Sequence, residues 1–372
     1  MQAHPRTPSP TRPAWRRRCA ALLAAPAVSL LAAGPAAAHI KWFEPYDVSQ
    51  APMPIDAVMS RQYLCVLAGF AAMTAGGFLL DRQVVPMRWV TAAFARQDSV
   101  DSVLRAALGA FFVALFAIGG IILTPELRTE AEWPAWLQLG IAASLFSARS
   151  CFLGGIGILL LYGYGVALYG AFHMADYPIF LGLAAYLVLT SCGGARLRGL
   201  RMPILYVTLC VSMMWGAVEK WAYPQWTYPL LAERPYLAFG LPPEGMLVLA
   251  GFVEFALAFY ILTGLGLLRL GIGVLGCIFL AAIVDFGKID AIGHLPLIAA
   301  MAAMFLHGPT PLHHALHDAR RGMLAEVRRS GTLFLGAVGV LFLAYYGLQH
   351  TEPRGGAAGH RMAGLAAPSR IR

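Results

Sequence analysis

Four ionisable residues stand directly in front of an apolar run in the second half of the chain. The stretch DFGKIDAIGHLPLIAAM contains Asp285, Lys288, Asp290 and His294. A histidine beside carboxylates and an ammonium group can exchange protons near neutral pH. The same opposite charges can also hold two helix ends together. The residues therefore indicate either a proton-transfer site or a structural latch, and their types and spacing fit both.

A further acid lies inside an apolar segment. Glu254 is close to the middle of MLVLAGFVEFALAFYILTG. An ionised carboxylate at that depth in a bilayer costs at least a few kcal/mol unless it is paired or protonated. We therefore expect Glu254 to face the protein interior, either as a hydrogen-bonded structural carboxyl or as a proton-relay or ligand-binding carboxyl. Glu219 and Lys220, at the end of the preceding apolar segment, join it as candidates.

Composition indicates the elements that must position these groups. Of the 372 residues, 59% are hydrophobic and only 13% are charged, which exceeds what a soluble core can bury. We predict an all-α, polytopic transmembrane helical bundle whose main partner is the lipid bilayer. Five of the arginines lie in the first 38 residues, and the remaining 23 basic side chains nearly balance 19 acidic ones. We therefore expect no nucleic-acid partner.

The amino terminus has the pattern of an export signal. A basic WRRR precedes the apolar CAALLAAPAVSLLAAG, and small residues lead to a cleavage site after Ala38. An uncleaved first anchor helix is the alternative. Cleavage would leave an amine and an imidazole on His39, which makes this residue a weak candidate for binding Cu(II).

Ten apolar segments follow the signal, and the basic residues between them indicate an orientation. If His39 lies outside, every inner loop carries arginine, while the outer loops are short, acidic or aromatic. We expect a multi-pass protein of the bacterial inner membrane with a periplasmic mature amino terminus. The predicted spans are 62–80, 103–123, 135–148, 152–172, 177–192, 203–219, 246–267, 269–285, 292–307 and 332–349.

This topology brings ionisable groups to one end of the bundle. We predict a charged cap above Glu254, with Pro296 in the first turn of its helix. His173, Asp176 and the segment HIKWFEPYD, which begins at His39, are expected at the same level. The predicted members of the cap are Asp285, Lys288, Asp290, His294, Glu219 and Lys220.

The stretch from about Pro203 to Gly308 resembles the DoxX-type four-helix membrane domain. The likeness rests on WGAVEKW, on LAGFVEFALAFYILTG and on GHLP. Related proteins include the DoxX/DoxD small subunits of thiosulfate:quinone oxidoreductase and the MauE proteins of methylamine utilisation. The resemblance implies a bundle that serves an electron-transfer or redox-assembly system. It implies a possible quinone, no covalently bound cofactor and a redox-enzyme partner, and it leaves open whether the chain is itself an enzyme.

These patterns divide the chain into seven parts. The glycine and aspartate placements in 62–202 suggest that this part is a degenerate copy of 203–308. The parts are a signal peptide (1–38), a periplasmic segment (39–61), a first transmembrane half (62–202), the DoxX-like domain (203–308), a basic amphipathic segment (309–331), a last helix (332–349) and a tail (350–372).

Two further patterns each have two interpretations. His313 and His317, four residues apart, fit either a metal site or an interfacial basic helix. The aromatic segment from Trp221 to Pro243 fits either a belt at headgroup level or a lid over a quinone-like ligand. Three functions stay open: a quinone-linked redox subunit, a small-molecule or copper transporter, and an assembly factor.

Overall fold

The computed structural model describes residues 40–42, 44, 46, 50–84, 97–316 and 322–351. Within these residues the protein is helical, and its β structure is an isolated bridge between Ile121 and Arg128. The predicted all-α helical bundle is confirmed. Ten apolar helices carry the fold: α1 Arg61–Asp81, α2 Gln97–Ile118, α3 Trp133–Ser144, α4 Cys151–Tyr169, α5 Pro178–Cys192, α6 Arg201–Ala222, α7 Pro243–Thr263, α8 Leu268–Phe286, α9 Lys288–His307 and α10 Met323–Thr351.

Eight of these helices are long and apolar enough to cross a membrane, which supports a bilayer environment. The other two are short, with 12 residues in α3 and 15 in α5. At 1.5 Å per residue they reach about 18 and 22 Å, less than the roughly 30 Å of a hydrocarbon core. Each predicted span thus corresponds to a helix, but two of the ten are too short for a straight crossing.

Short helices connect these elements at their ends. The aromatic segment after α6 contains three of them, and its Trp226 side chain is buried. The short helices are Ile40–Trp42, Ile55–Val58, Ala171–Met174, Ala195–Arg198, Pro224–Trp226, Tyr228–Glu233, Pro235–Ala238 and Pro311–Leu316.

The central helices pack as two groups of four. Helices α2 to α5 pack in sequence, as do α6 to α9, and the groups meet where α5 packs on α6 and α2 packs on α9. The first contact is close, since a Cβ on Gly182 of α5 would overlap the hydroxyl of Thr208 on α6. Helices α1 and α10 pack on each other, and on α7 and α6 respectively. The internal duplication stays a prediction, because similar packing does not establish a common origin.

One buried and one partly buried carboxylate connect helices at the end of the bundle opposite to the predicted cap. Asp81 accepts hydrogen bonds from the amides of Leu265 (3.0 Å) and Leu267 (2.7 Å), and so ties α1 to the α7–α8 turn. Asp101 pairs with Arg201 at 3.0 Å, which joins α2 to α6. These contacts hold the helices that carry the candidate residues.

The start of α9 differs from expectation. Gly287, at φ 79°, separates α8 from α9, so α9 begins at Lys288 rather than near residue 292. A positive φ is accessible to glycine without strain, which lets one residue make the turn. The prediction that Pro296 lies in the first turn is therefore wrong. It lies inside the helix, where its ring removes the hydrogen bond to the carbonyl of Ile292.

Candidate functional site

Lys220 and Glu254 form a buried ion pair between α6 and α7. Their Nζ and Oε2 atoms are 2.8 Å apart, and the two residues are only 7% and 3% exposed. The two helices can approach closely here because Gly251 has no side chain, and a Cβ at this position would overlap the indole of Trp221. The indole N–H of Trp221 donates to the carbonyl of Val248. The expected burial of Glu254 is thus confirmed, and its charge is opposed by an ammonium group.

His294 and Asp290 lie one turn apart on α9, both fully buried. Nδ1 of His294 is 2.9 Å from Oδ2 of Asp290, a close contact without the alignment of a good hydrogen bond. The imidazole stacks on Phe279 and touches Trp42, each with ring centres 4.7 Å away. His294 also interacts electrostatically with Glu254. We call Lys220, Glu254, Asp290 and His294 the inner cluster.

A second cluster surrounds Lys41 nearer the ends of the helices. The ammonium of Lys41 lies 2.5 Å from Oδ2 of Asp176 and 2.5 Å from Oε2 of Glu219. The rings of Trp226 and Tyr46 lie 5.2 and 5.6 Å from the same nitrogen, within range of cation–π attraction. The short helix Ile40–Trp42 places this lysine so that it bridges the two four-helix groups.

Glu126 and His173 extend this second cluster. His173 Nε2 lies 3.1 Å from Oε1 of Glu126, and Tyr177 donates its hydroxyl proton to the same oxygen. The hydroxyl of Tyr46 lies 3.3 Å from the same Nε2 atom of His173. We call Lys41, Asp176, Glu219, Glu126 and His173 the outer cluster.

The outer cluster shifts the pKa values of its members in opposite directions. Burial lowers the pKa of Lys41, but Asp176, Glu219 and Glu126 outweigh it, so the net shift is upward and the lysine stays charged. Burial raises the pKa of Asp176, and repulsion from Glu219 adds to this. Burial and the charge of Lys41 lower the pKa of His173, which therefore stays neutral at neutral pH.

A small cavity lies beside the outer cluster. Its walls come from both four-helix groups and include Asp176, Ser212, Gly293 and Thr124. The Thr124 hydroxyl is buried and makes no hydrogen bond to the described residues. There is space for about one water molecule. Trp42 closes one wall so tightly that a Cβ on Gly293 would come within 2.4 Å of its ring.

The predicted single cap is wrong in its membership. Asp285 lies apart, with its backbone carbonyl accepting from Arg234 and its carboxylate from Tyr236, and Lys288 is exposed. Glu219 joins the outer cluster rather than Lys220, because successive residues of an α-helix point about 100° apart. His294, Asp290, Lys220 and Glu254 are brought together.

Of the histidine candidates for metal binding, His313 lies among the described residues. His39 and His317 lie outside the described residues. His313 is buried, accepts from the amide of Thr310 and donates to the carbonyl of Ile261, which fixes it as part of the packing. Among the described residues, no group of three or more His, Cys, Asp and Glu side chains is arranged to hold a metal ion.

Sequence reasoning missed two members of the outer cluster. The sequence places Lys41 at the level of Asp176 only as part of the segment HIKWFEPYD, and it does not single out Glu126 within the acidic outer loop. The available signal for Lys41 was a lone cation between aromatic residues, in IKWFEPY. Comparisons with known proteins add no further assignment: no family model matches the chain, and neither the curated proteins nor the solved structures contain a match.

Proposed function

We propose that this protein is the proton-handling, quinone-interacting membrane subunit of a redox system, with the inner cluster as its working site. The observation that carries the proposal is the inner cluster itself, four ionisable side chains buried between apolar helices at the membrane-spanning level. Intramembrane ionisable groups are costly to keep and mark proton or substrate paths. The resemblance to DoxX-type domains supports the redox setting, and the arginine-rich loops support an orientation with both clusters on the periplasmic side of the inner membrane.

Each residue of the inner cluster has a distinct role in this proposal. Glu254 accepts one of the two protons that a quinol releases as it is oxidised, the second proton leaves to water, and the two electrons pass to the cofactor of a partner enzyme. Lys220 supplies a fixed positive charge that offsets the carboxylate. His294 passes the proton on, and Asp290 beside its Nδ1 stabilises the imidazolium form.

The test compares two buried glutamates in membranes of a strain that lacks the gene. Glu254→Gln keeps shape and hydrogen-bonding capacity but loses the titratable proton, so we expect quinol-dependent electron transfer to fall by about 10²–10⁴-fold at equal protein level. Glu326→Gln is the matched control, since Glu326 is also buried but pairs with Arg329 at the start of α10. Full activity of the Glu254 variant would remove the proton role. An unchanged rate in the deletion strain would remove the redox assignment.

Proton-coupled transport of a small solute is the second candidate. It is favoured by the cavity at the junction of the two four-helix groups, where alternating-access proteins place their sites. Purified protein in liposomes distinguishes the two functions. Solute-dependent proton uptake without quinone supports transport, whereas proton movement that requires a quinol supports the redox subunit.

A further inference from the structure

We propose that Asp176 and Glu219, held by Lys41, form a proton-binding site that carries one exchangeable proton between the two carboxylates. This inference deepens the proposed function by naming the station through which the inner cluster exchanges protons with the outside. It rests on that function for its biological role but not for its test, which needs neither a quinone nor a partner enzyme.

The geometry places two carboxylates around one ammonium. Each carboxylate oxygen is 2.5 Å from Lys41 Nζ, so the two oxygens are at most about 5 Å apart. The side chains of Asp176 and Glu219 are 7% and 12% exposed. Two carboxylates that share a buried site cannot both stay ionised without cost, and one of them takes up a proton. A single ammonium offsets only one of the two charges.

The surroundings add negative rather than positive charge. Glu126 is a third carboxylate within electrostatic range of Asp176, and His173 is held neutral. Three tyrosine hydroxyls also approach the cluster: Tyr345 approaches Glu219, Tyr177 donates to Glu126, and Tyr46 approaches His173. The ring of Tyr169 stacks on His173. Burial and repulsion from Glu219 raise the pKa of Asp176, which favours its protonated form.

The site is placed for exchange in both directions. Asp176 lines the small cavity together with Gly293, the residue that precedes His294 in the chain. On the other side, Oε2 of Glu126 and Nδ1 of His173 are buried and form no hydrogen bond with the described residues. Such atoms are where ordered water binds and relays protons. A purely structural ion pair would need only one carboxylate per ammonium, and it would need no buried polar atoms without hydrogen bonds beside it.

Infrared spectroscopy of the protein in lipid nanodiscs tests the proposal. We expect a protonated-carboxyl C=O band at neutral pH that shifts in D₂O and disappears as the pH is raised. Asp176→Asn or Glu219→Gln should abolish this band. Glu254→Gln should retain it, which separates failure of this inference from failure of the proposed function. The control is Glu132→Gln, which removes an exposed carboxylate.

Lys41→Met gives an independent readout. Loss of the ammonium should raise the pH at which the band disappears by about 1–3 units, because an opposite charge favours ionisation by that amount. A spectrum of folded Asp176→Asn that still contains the wild-type band overturns the proposal. So does a downward shift, or no shift, in Lys41→Met. If Asp176→Asn fails to fold, the Glu219 and Lys41 variants decide.

Discussion

Removing the ammonium group of Lys220 from the inner cluster should lower the stability of the bundle strongly, although only one side chain changes. Lys220→Met puts an unbranched apolar side chain of similar size in place of lysine and deprives Glu254 of its ion-pair partner 2.8 Å away. Breaking a buried pair in this way costs about 3–5 kcal/mol, because the remaining charge is left uncompensated. The folded fraction relative to the unfolded fraction should fall more than about a hundredfold.

A double variant separates the effect of the unpaired charge on stability from the effect of side-chain packing. In Lys220→Met with Glu254→Leu both charges are absent, and apolar replacements of buried pairs are often neutral or stabilising by about 1–4 kcal/mol. We therefore expect the double variant to be more stable than Lys220→Met alone. The free energy of unfolding is measured by SDS titration in mixed micelles, with helix content as the signal.

Lys288→Met is the control for these measurements. Lys288 is exposed near the same ends of the helices, and its replacement should change the free energy of unfolding by less than about 0.5 kcal/mol. A loss below about 1 kcal/mol for Lys220→Met, the range of an exposed ion pair, would refute the reasoning. A double variant less stable than the single one would refute it as well.

Three further perturbations test the packing and the orientation. Gly293→Ala should displace Trp42 and speed proteolysis at residues 40–42. Gly276→Ala is the control and should not, because the position of the added Cβ is open there. Equal cleavage rates in the two variants would contradict the packing of Trp42 on Gly293. Asp81→Ala should lower the unfolding temperature, because it leaves the amides of Leu265 and Leu267 without their acceptor, and each buried donor left unsatisfied costs about 1–3 kcal/mol. An unchanged temperature would argue against this role of Asp81. A reporter fused after Arg201 should be active only in the cytoplasm, and activity confined to the periplasm would reverse the orientation.

The helical segments were predictable because hydropathy is a local property. An apolar run of about twenty residues forms a helix in lipid whatever its neighbours are, since every backbone amide must be bonded within the segment. Boundaries were less predictable. Gly287 and Gly170 end helices through positive φ angles, at 79° and 87°, that an apolar pattern does not contain. The short predicted spans 135–148 and 177–192 correspond to the short helices α3 and α5, because the apolar pattern itself is brief there.

Sequence reasoning found the right residue types for the site but not their partners. Burial of Glu254 followed from the cost of an exposed charge in lipid, and that argument needs no knowledge of other helices. The sequence did not show which cation pairs with Glu254. Glu219 and Lys220 are neighbours in the chain, yet one turns to Lys41 and the other to Glu254, since a helix rotates about 100° between successive residues.

Long-range packing explains the remaining differences. Lys41 and Asp176 are 135 residues apart, and no local pattern relates a residue before the first helix to one between the fourth and fifth. Asp285 stands near His294 in sequence but ends a different helix, and it faces Arg234 and Tyr236 instead. The chain therefore encodes locally which segments enter the membrane and which charges must be buried. The pairing of those charges arises only when the two four-helix groups close around the segment that carries Lys41.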